Sequence, residues 1–223
     1  MARTLFVFTL LLTLAAAGLF ASDPGLDLRV ARLFFNNGFI GASAGARAAR
    51  SFFYVLPLVV GAGVILARWL GPGRLPARFV PSGASILFLA LSMAIGPGLV
   101  VNLGLKDHWH RPRPVQVREF GGPWEFRPFW ARDGECRTNC SFVSGEASSA
   151  FWLVAPASLA PPPFRGLAVA AALGAGVGAS LLRMAFGGHF LSDVVFAALF
   201  TLLLLQIIHA LIQAGLRRDP SRL

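Results

Sequence analysis

Six long apolar runs constrain the fold of this chain more than any other feature. They cover residues 4–20, 52–70, 84–105, 147–160, 167–184 and 191–214. A helix needs about 20 apolar residues to cross a bilayer, and a backbone in lipid must satisfy its own hydrogen bonds. The pattern therefore predicts an all-α integral membrane bundle of about six transmembrane helices, with residues 1–223 forming a single domain.

The composition agrees with a membrane protein. The chain is 56% hydrophobic and 13% charged, with a mean hydropathy of +0.66, whereas a soluble domain carries roughly 25% charged residues. The basic residues behind the net charge of +10 lie between the apolar runs. We therefore expect them to face anionic lipid headgroups, and we expect no nucleic acid partner.

Two of the runs have uncertain limits. The first follows Arg3 and resembles a signal peptide, but no small-x-small site closes it, so we expect a retained helix. The fourth is short and contains Pro156. Between the first two runs, residues 23–51 mix apolar residues with arginines, a pattern typical of an amphipathic helix at the membrane interface.

The longest polar segment, residues 106–146, contains both cysteines, Cys136 and Cys140. If this segment lies outside the cytoplasm, their spacing favours a short-range disulfide. A zinc site that combines them with His108 and His110 is compatible with the spacing but is the weaker interpretation.

Three polar clusters border the apolar runs. They read KDHWHRPRP at 106–114, SGE at 144–146 and RMAFGGHFLSD at 183–193. In a six-span arrangement the loops after the third and fifth spans emerge on one face, so the clusters can meet there. Charged groups that converge at a membrane boundary indicate a functional site.

The first part of this site suits a phosphate group. Lys106, Arg113 and Arg183 supply cations that can hold phosphoryl oxygens. Ser144 and Gly145 precede an apolar run, so their backbone N–H groups lie at a helix N-terminus, which favours an anion.

The second part suits nucleophilic chemistry. His189 and Asp193 are four residues apart at the start of a helix, so they share one face. The carboxylate can hold one imidazole nitrogen protonated and leave the other free to act as a nucleophile or a base.

These residues resemble the type 2 phosphatidic acid phosphatase (PAP2) family of lipid phosphatases. The first family motif, Lys, six residues, then Arg-Pro, fits Lys106 and Arg113-Pro114. The third, Ser-Arg, five residues, His, three residues, Asp, fits the segment that begins at Arg183, except that Leu182 replaces the serine. The second motif, Pro-Ser-Gly-His, corresponds to residues 143–146, which read VSGE.

The resemblance implies a helical-bundle fold with an active site at the outer surface of a bacterial inner membrane, facing the periplasm or the outside. It implies that His189 attacks phosphorus to form a phosphohistidine and that Asp193 orients it. It implies no metal and no cofactor. The phosphate-binding residues would be Lys106, Arg113, Ser144, Gly145 and Arg183.

Glu146 departs from the family pattern, because the family has a histidine there that protonates the leaving group. Near three cations a glutamate should be ionised and a poor acid. Either burial against lipid raises its pKa enough to donate a proton, or His108 or His110 takes over the acid role, or the leaving group needs little protonation. We keep Glu146 as a catalytic candidate with these accounts open.

The expected function is that of a membrane lipid phosphatase. Its substrate would be undecaprenyl pyrophosphate, phosphatidylglycerol phosphate, phosphatidate or the 1-phosphate of lipid A, and the third account of Glu146 slightly favours a pyrophosphate or an anomeric phosphate. The alternatives are a lipid phosphotransferase that uses the same phosphohistidine and a lipid-phosphate-binding protein without turnover. The sequence indicates no oligomeric state.

Overall fold

The computed structural model describes residues 2–106 and 108–218. The predicted all-α membrane bundle is confirmed. Its helices are α1 (Ala2–Ser22), α2 (Leu26–Arg32), α3 (Ala44–Leu70), α4 (Gly83–Met93), α5 (Gly145–Trp152), α6 (Val154–Ser158), α7 (Pro162–Ala185) and α8 (Leu191–Arg218). A π-helical segment, Ala94–Leu105, continues α4 towards the polar loop. Single 3-10 turns cover Ile40–Ala42, Ala77–Phe79, Pro114–Gln116 and Arg118–Phe120.

Five of the predicted spans are formed by long helices. Within residues 2–106 and 108–218, the helices long and apolar enough to cross a membrane are Arg3–Ser22, Ala44–Leu70, Ala77–Val101, Pro162–Ala185 and Leu191–Arg217. Their outward faces carry large apolar side chains, such as Phe8, Leu58 and Leu167, that are more than half exposed. An apolar surface of this extent suits contact with lipid chains rather than with water.

The fourth apolar run does not form one continuous span. It folds as α5 and α6, which break at Leu153 and together contain 13 residues, or roughly 20 Å of helix. Pro156 explains the break, because it has no N–H for the carbonyl one turn earlier and its ring clashes there. This short pair is buried against α3, α4, α7 and α8, so longer helices shield it from lipid.

Close helix contacts hold α5 in the centre. Gly176 of α7 packs against the ring of Phe151, and a Cβ at this glycine would lie 2.5 Å from that ring. Trp152 donates a hydrogen bond to the Ser92 hydroxyl at 2.9 Å, so the indole N–H is satisfied inside the bundle. These contacts fix the position of α5 along the axis of the bundle, and with it the position of the α5 N-terminus.

Helix α2 is the amphipathic element that residues 23–51 predict, but it spans only Leu26–Arg32. Its Asp27 and Ala31 are buried, and the helix contacts the start of α8. Helix α2 therefore packs against the end of the bundle where α8 begins and does not lie free on the membrane surface.

The polar segment that follows the π-helical segment folds over the end of the bundle at which α8 begins. Cys136 and Cys140 form the disulfide that their spacing favoured, which uses both sulfurs of the alternative zinc site. Asp107 of the first polar cluster lies outside the described residues.

Candidate active site

The three polar clusters meet at one end of the bundle, as their placement in the sequence predicts. The end of α7, the α7–α8 connection, the N-terminus of α5 and the polar loop all contribute side chains there. The positive charges of Arg183, Arg113 and Lys106 all act on His189. These residues come from opposite ends of a stretch of more than 80 residues, so tertiary structure alone brings them together.

His189 lies at the centre of this cluster, with only 2% of its surface exposed. Its Nδ1–H donates a 2.7 Å hydrogen bond to the backbone carbonyl of Ser141. In the neutral imidazole this places the lone pair on Nε2. His189 therefore has the tautomer that a nitrogen nucleophile needs.

The predicted direct hydrogen bond from His189 to Asp193 is replaced by a longer contact. The Nδ1 and Oδ2 atoms are 3.8 Å apart, because Nδ1–H donates its hydrogen bond to the Ser141 carbonyl. Asp193 instead accepts hydrogen bonds from the Ser141 hydroxyl at 2.5 Å and from the Phe190 N–H at 2.7 Å. The carboxylate fixes both segments that hold the ring, and its charge stays near the ring.

The charge state of His189 follows from its surroundings. Burial lowers its pKa well below the ordinary value, and the cations of Arg183, Arg113 and Lys106 lower the pKa further. The hydrogen bond to Ser141 opposes this effect without reversing it. The ring is therefore neutral near pH 7, which is the nucleophilic form.

Arg183 faces the site from the last turn of α7 and is 5% exposed. Among the described residues, its Nε is one of the buried polar atoms without a hydrogen-bond partner. A Cβ at Gly188 would lie 2.5 Å from Nη2 of Arg183, so the absence of a side chain at 188 makes room for the guanidinium. An unsatisfied buried donor is costly, and an incoming phosphoryl oxygen would satisfy it.

Arg113 and Lys106 complete the cationic side. Arg113 donates hydrogen bonds to the Asn139 backbone carbonyl at 2.7 Å and to its side-chain oxygen at 2.8 Å. Lys106 is partly buried, and its backbone carbonyl accepts from the Cys140 N–H at 3.3 Å. The Arg113 guanidinium and the Lys106 backbone are therefore both anchored to the disulfide-closed segment.

The N-terminus of α5 points into the same region. Ser144 is the N-cap, and its hydroxyl accepts a hydrogen bond from the Ala147 N–H at 3.3 Å. Its own N–H donates to the Asp193 carbonyl at 3.3 Å. Ser144 and Gly145 are buried, so the positive end of this helix is shielded from water and acts more strongly on an anion.

Glu146 is held by two arginines. Its carboxylate accepts bonds of 2.6 and 3.0 Å from Arg50 and lies 3.4 Å from Arg183. Burial raises the pKa of Glu146, but the hydrogen bond from Arg50 and the charges of Arg183 and Lys106 outweigh it, so the pKa is lowered. The arginines favour the ionised carboxylate, so the geometry supports a role in holding arginines more than the account in which burial makes Glu146 a proton donor.

Arg111 lies in the first polar cluster, between the motif residues Lys106 and Arg113, and the spaced motifs assign it no role. It is completely buried and donates to Asp27 at 2.7 Å and to Asp193 at 2.5 Å. Burial lowers the pKa of Arg111, but the charges of Asp193 and Asp27 raise it overall. The guanidinium is therefore the cation of a buried ionic network behind the histidine.

Sequence reasoning also missed Asp27, Ser141 and Arg50. None belongs to a spaced motif. Asp27 and Arg50 reach the site from segments distant in sequence, and Ser141 lies three residues before the SGE cluster. The only available signal was an acidic residue at 27 in a segment otherwise rich in arginine and apolar residues.

The fold and this site define a class of protein: an integral membrane phosphatase in which cationic side chains surround a buried histidine at one end of a helical bundle. Residues 85–217 match the PAP2 superfamily, and the chain belongs to that superfamily. The expected family and the expected phosphatase activity are thereby confirmed.

Curated relatives align with almost the whole chain. The chain is 37% identical over 215 residues to the lipid A 4'-phosphatase of Francisella tularensis subsp. novicida (strain U112). This alignment covers 95% of this chain and 97% of the relative. It is 36% identical over 230 residues to the lipid A 4'-phosphatase of Rhizobium leguminosarum, covering 94% of this chain and 97% of the relative. No solved structure is significantly similar to it.

Proposed function

We propose that this membrane phosphatase removes the 4'-phosphate of lipid A through a phosphohistidine formed on His189. The observation that carries the proposal is a buried, neutral imidazole whose Nδ1–H is fixed by Ser141 and which lies among three cations. The named activity of the relatives supports the choice of lipid.

The first step transfers the phosphoryl group to the enzyme. The lone pair on Nε2 of His189 attacks phosphorus, a P–N bond forms, and the bond from phosphorus to the sugar oxygen breaks as that oxygen takes a proton from water. Arg183, Arg113 and Lys106 balance the charge on the phosphoryl oxygens, and the N-terminus of α5 adds backbone donors.

The second step returns the enzyme to its starting state. Water attacks phosphorus, the P–N bond breaks and inorganic phosphate leaves. Over both steps one water is consumed: its hydroxyl ends on phosphorus and its hydrogen ends on the sugar oxygen. His189 recovers its lone pair, so no proton is gained or lost by the ring.

Glu146 acts as a positioning carboxylate in this proposal, not as the acid. In the empty site it neutralises part of the charge of Arg50 and Arg183 and holds both guanidinium groups in place. An incoming phosphate competes for the same arginines, so Glu146 limits the affinity for anions that lack the lipid part.

The 4'-phosphate differs from the substrates that the sequence favoured. It is a monoester of an ordinary sugar hydroxyl, whereas pyrophosphates and anomeric phosphates have better leaving groups. The activity of the relatives, lipid A 4'-phosphatase, moves the proposal to this ester. We place the site at the periplasmic face of the inner membrane, because the disulfide of the polar segment suits an oxidising compartment.

The test is phosphate release from defined lipids by the protein purified in detergent. We expect lipid A that carries both 1- and 4'-phosphates to lose one phosphate, and fragmentation mass spectrometry should locate the loss at the 4' position. Undecaprenyl pyrophosphate, phosphatidylglycerol phosphate and phosphatidate serve as competitors. A preference for one of these, or loss of the 1-phosphate, would contradict the proposed substrate.

The same experiment addresses the alternatives. A transferase would move the phosphate to a second lipid without release of inorganic phosphate. A His189→Ala variant with the activity of the parent would remove the phosphohistidine from the mechanism.

A further inference from the structure

A buried ionic trio lies behind the nucleophile and consists of Asp27, Arg111 and Asp193. Arg111 joins the two carboxylates, which come from α2 and α8. The Arg111 and Asp193 side chains are 0% exposed and that of Asp27 is 3% exposed. Water therefore does not screen the charges of this trio, and their balance matters at the adjacent ring.

Both carboxylates are held as acceptors, the pattern of the ionised form. Asp27 accepts from Arg111, from the Ser192 N–H at 2.8 Å and from the Ser192 hydroxyl at 2.6 Å. Asp193 accepts from Arg111, from the Ser141 hydroxyl and from the Phe190 N–H. The formal charge of the trio is thus one guanidinium against two carboxylates, or −1.

This balance has a chemical consequence at His189. Attack on phosphorus places positive charge on the ring, and the Asp193 carboxylate 3.8 Å from Nδ1 stabilises that charge. Arg111 alone, paired with Asp193, would cancel the stabilising charge. The carboxylate of Asp27 on the far side of Arg111 restores it.

We infer that Asp27 is a positioning residue for phosphoryl transfer. It keeps the Asp27–Arg111–Asp193 trio at a charge of −1, so that Arg111 fixes Asp193 without cancelling its effect on the phosphohistidine. The inference rests on the proposed phosphohistidine mechanism, but it does not depend on which lipid carries the phosphate.

The geometry also separates this role from simple packing. Asp193 remains anchored at Oδ2 by Ser141 and Phe190 when Arg111 is absent. Removing Asp27 and Arg111 together therefore returns the site to a charge of −1 with Asp193 still in place. A residue that only supports the fold would show no such recovery.

The experiment compares Asp27→Asn, the double variant Asp27→Asn/Arg111→Met and the parent, using whichever lipid phosphate the parent hydrolyses best. Asp23→Asn is the matched control, since Asp23 lies just before α2, is exposed and pairs with Arg29. Asp27→Asn should lower kcat about tenfold, because a unit charge one guanidinium away from Asp193 is lost in a medium of effective dielectric about 20. KM and the inhibition constant of inorganic phosphate should stay within about twofold.

The double variant should have a higher kcat than Asp27→Asn. If the double variant cannot be purified folded, Asp27→Glu replaces it and must likewise exceed Asp27→Asn. Parental kcat in Asp27→Asn, a parallel loss of kcat and phosphate binding, or a replacement variant slower than Asp27→Asn would overturn the inference. A parent without activity on any lipid phosphate would instead overturn the proposed function.

Discussion

The substitution Glu146→Gln tests whether this carboxylate supplies a proton or only holds arginines. Its bidentate contact to Arg50 has N–O distances of 2.6 and 3.0 Å, with 42% of the Arg50 side chain and 19% of the Glu146 side chain exposed. Because Arg50 is partly in solvent, we take the contribution of this contact to the unfolding free energy as only about 1–2 kcal/mol. A glutamine keeps one neutral hydrogen bond, so we expect a loss of unfolding free energy of about 1 kcal/mol.

The kinetic consequence separates the two roles. A general acid contributes about 10²- to 10⁴-fold to the rate, whereas a misplaced counter-ion costs less. We therefore expect kcat of Glu146→Gln to fall by less than about tenfold, with an unchanged alkaline limb of the pH profile. We also expect inorganic phosphate to inhibit this variant more strongly, because Arg183 loses a competing carboxylate.

The assay is initial-rate phosphate release from lipid in detergent micelles between pH 5 and 9, with Glu119→Gln as the matched control on an exposed 3-10 turn. A loss of kcat above about 100-fold, together with disappearance of the alkaline limb, would refute the reasoning and make Glu146 the proton donor.

Three further predictions follow from the same geometry. Gly188→Ala should lower kcat about 100-fold, because its Cβ would lie 2.5 Å from Nη2 of Arg183 and displace the guanidinium. The control Gly166→Ala meets nothing within 4 Å and should have the kcat of the parent. A Gly188→Ala variant with the kcat of the parent would contradict this packing. The ring nitrogens of His189 should show no titration in ¹⁵N NMR as pH falls through 6.5, because its pKa is lowered; a midpoint near 6.5 would refute this. Reduction of the disulfide should cost about 2 kcal/mol of stability and raise KM several-fold, since the closed segment anchors Arg113; an unchanged KM would count against that anchoring.

Much of the fold was predictable because lipid imposes a simple rule on the sequence. Long apolar runs gave the spans, and the loops between them gave the shared face of the three polar clusters. The break between α5 and α6 was less predictable. Pro156 marked an interruption of the apolar run, but the burial of so short a helix pair depends on how far α3, α7 and α8 shield it from lipid.

The phosphate-facing part of the site was predictable from motif spacing, whereas its supporting contacts were not. Lys106, Arg113 and Arg183 converge on His189 as expected. The partner of Nδ1 is a backbone carbonyl, which no side-chain pattern reveals.

The arginines show the same limit most clearly. Arg111 and Arg113 are separated by one proline in the sequence, yet one is completely buried between two aspartates and the other faces the site. The positions of Asp27, 84 residues earlier, and Asp193, 82 residues later, distinguish them. Arg50 likewise reaches Glu146 across a separation of 96 residues.

Trapping of the phosphoenzyme would test the nucleophile most directly. The protein is mixed with lipid radiolabelled in its phosphate, quenched within milliseconds in alkali, where phosphohistidine survives, and digested for peptide mapping. The label should reside on the peptide that contains His189, disappear in acid and be absent from His189→Ala, while His209→Ala on the exposed face of α8 keeps it. Label on another residue, or hydrolysis at the parental rate by His189→Ala, would contradict attack by this imidazole.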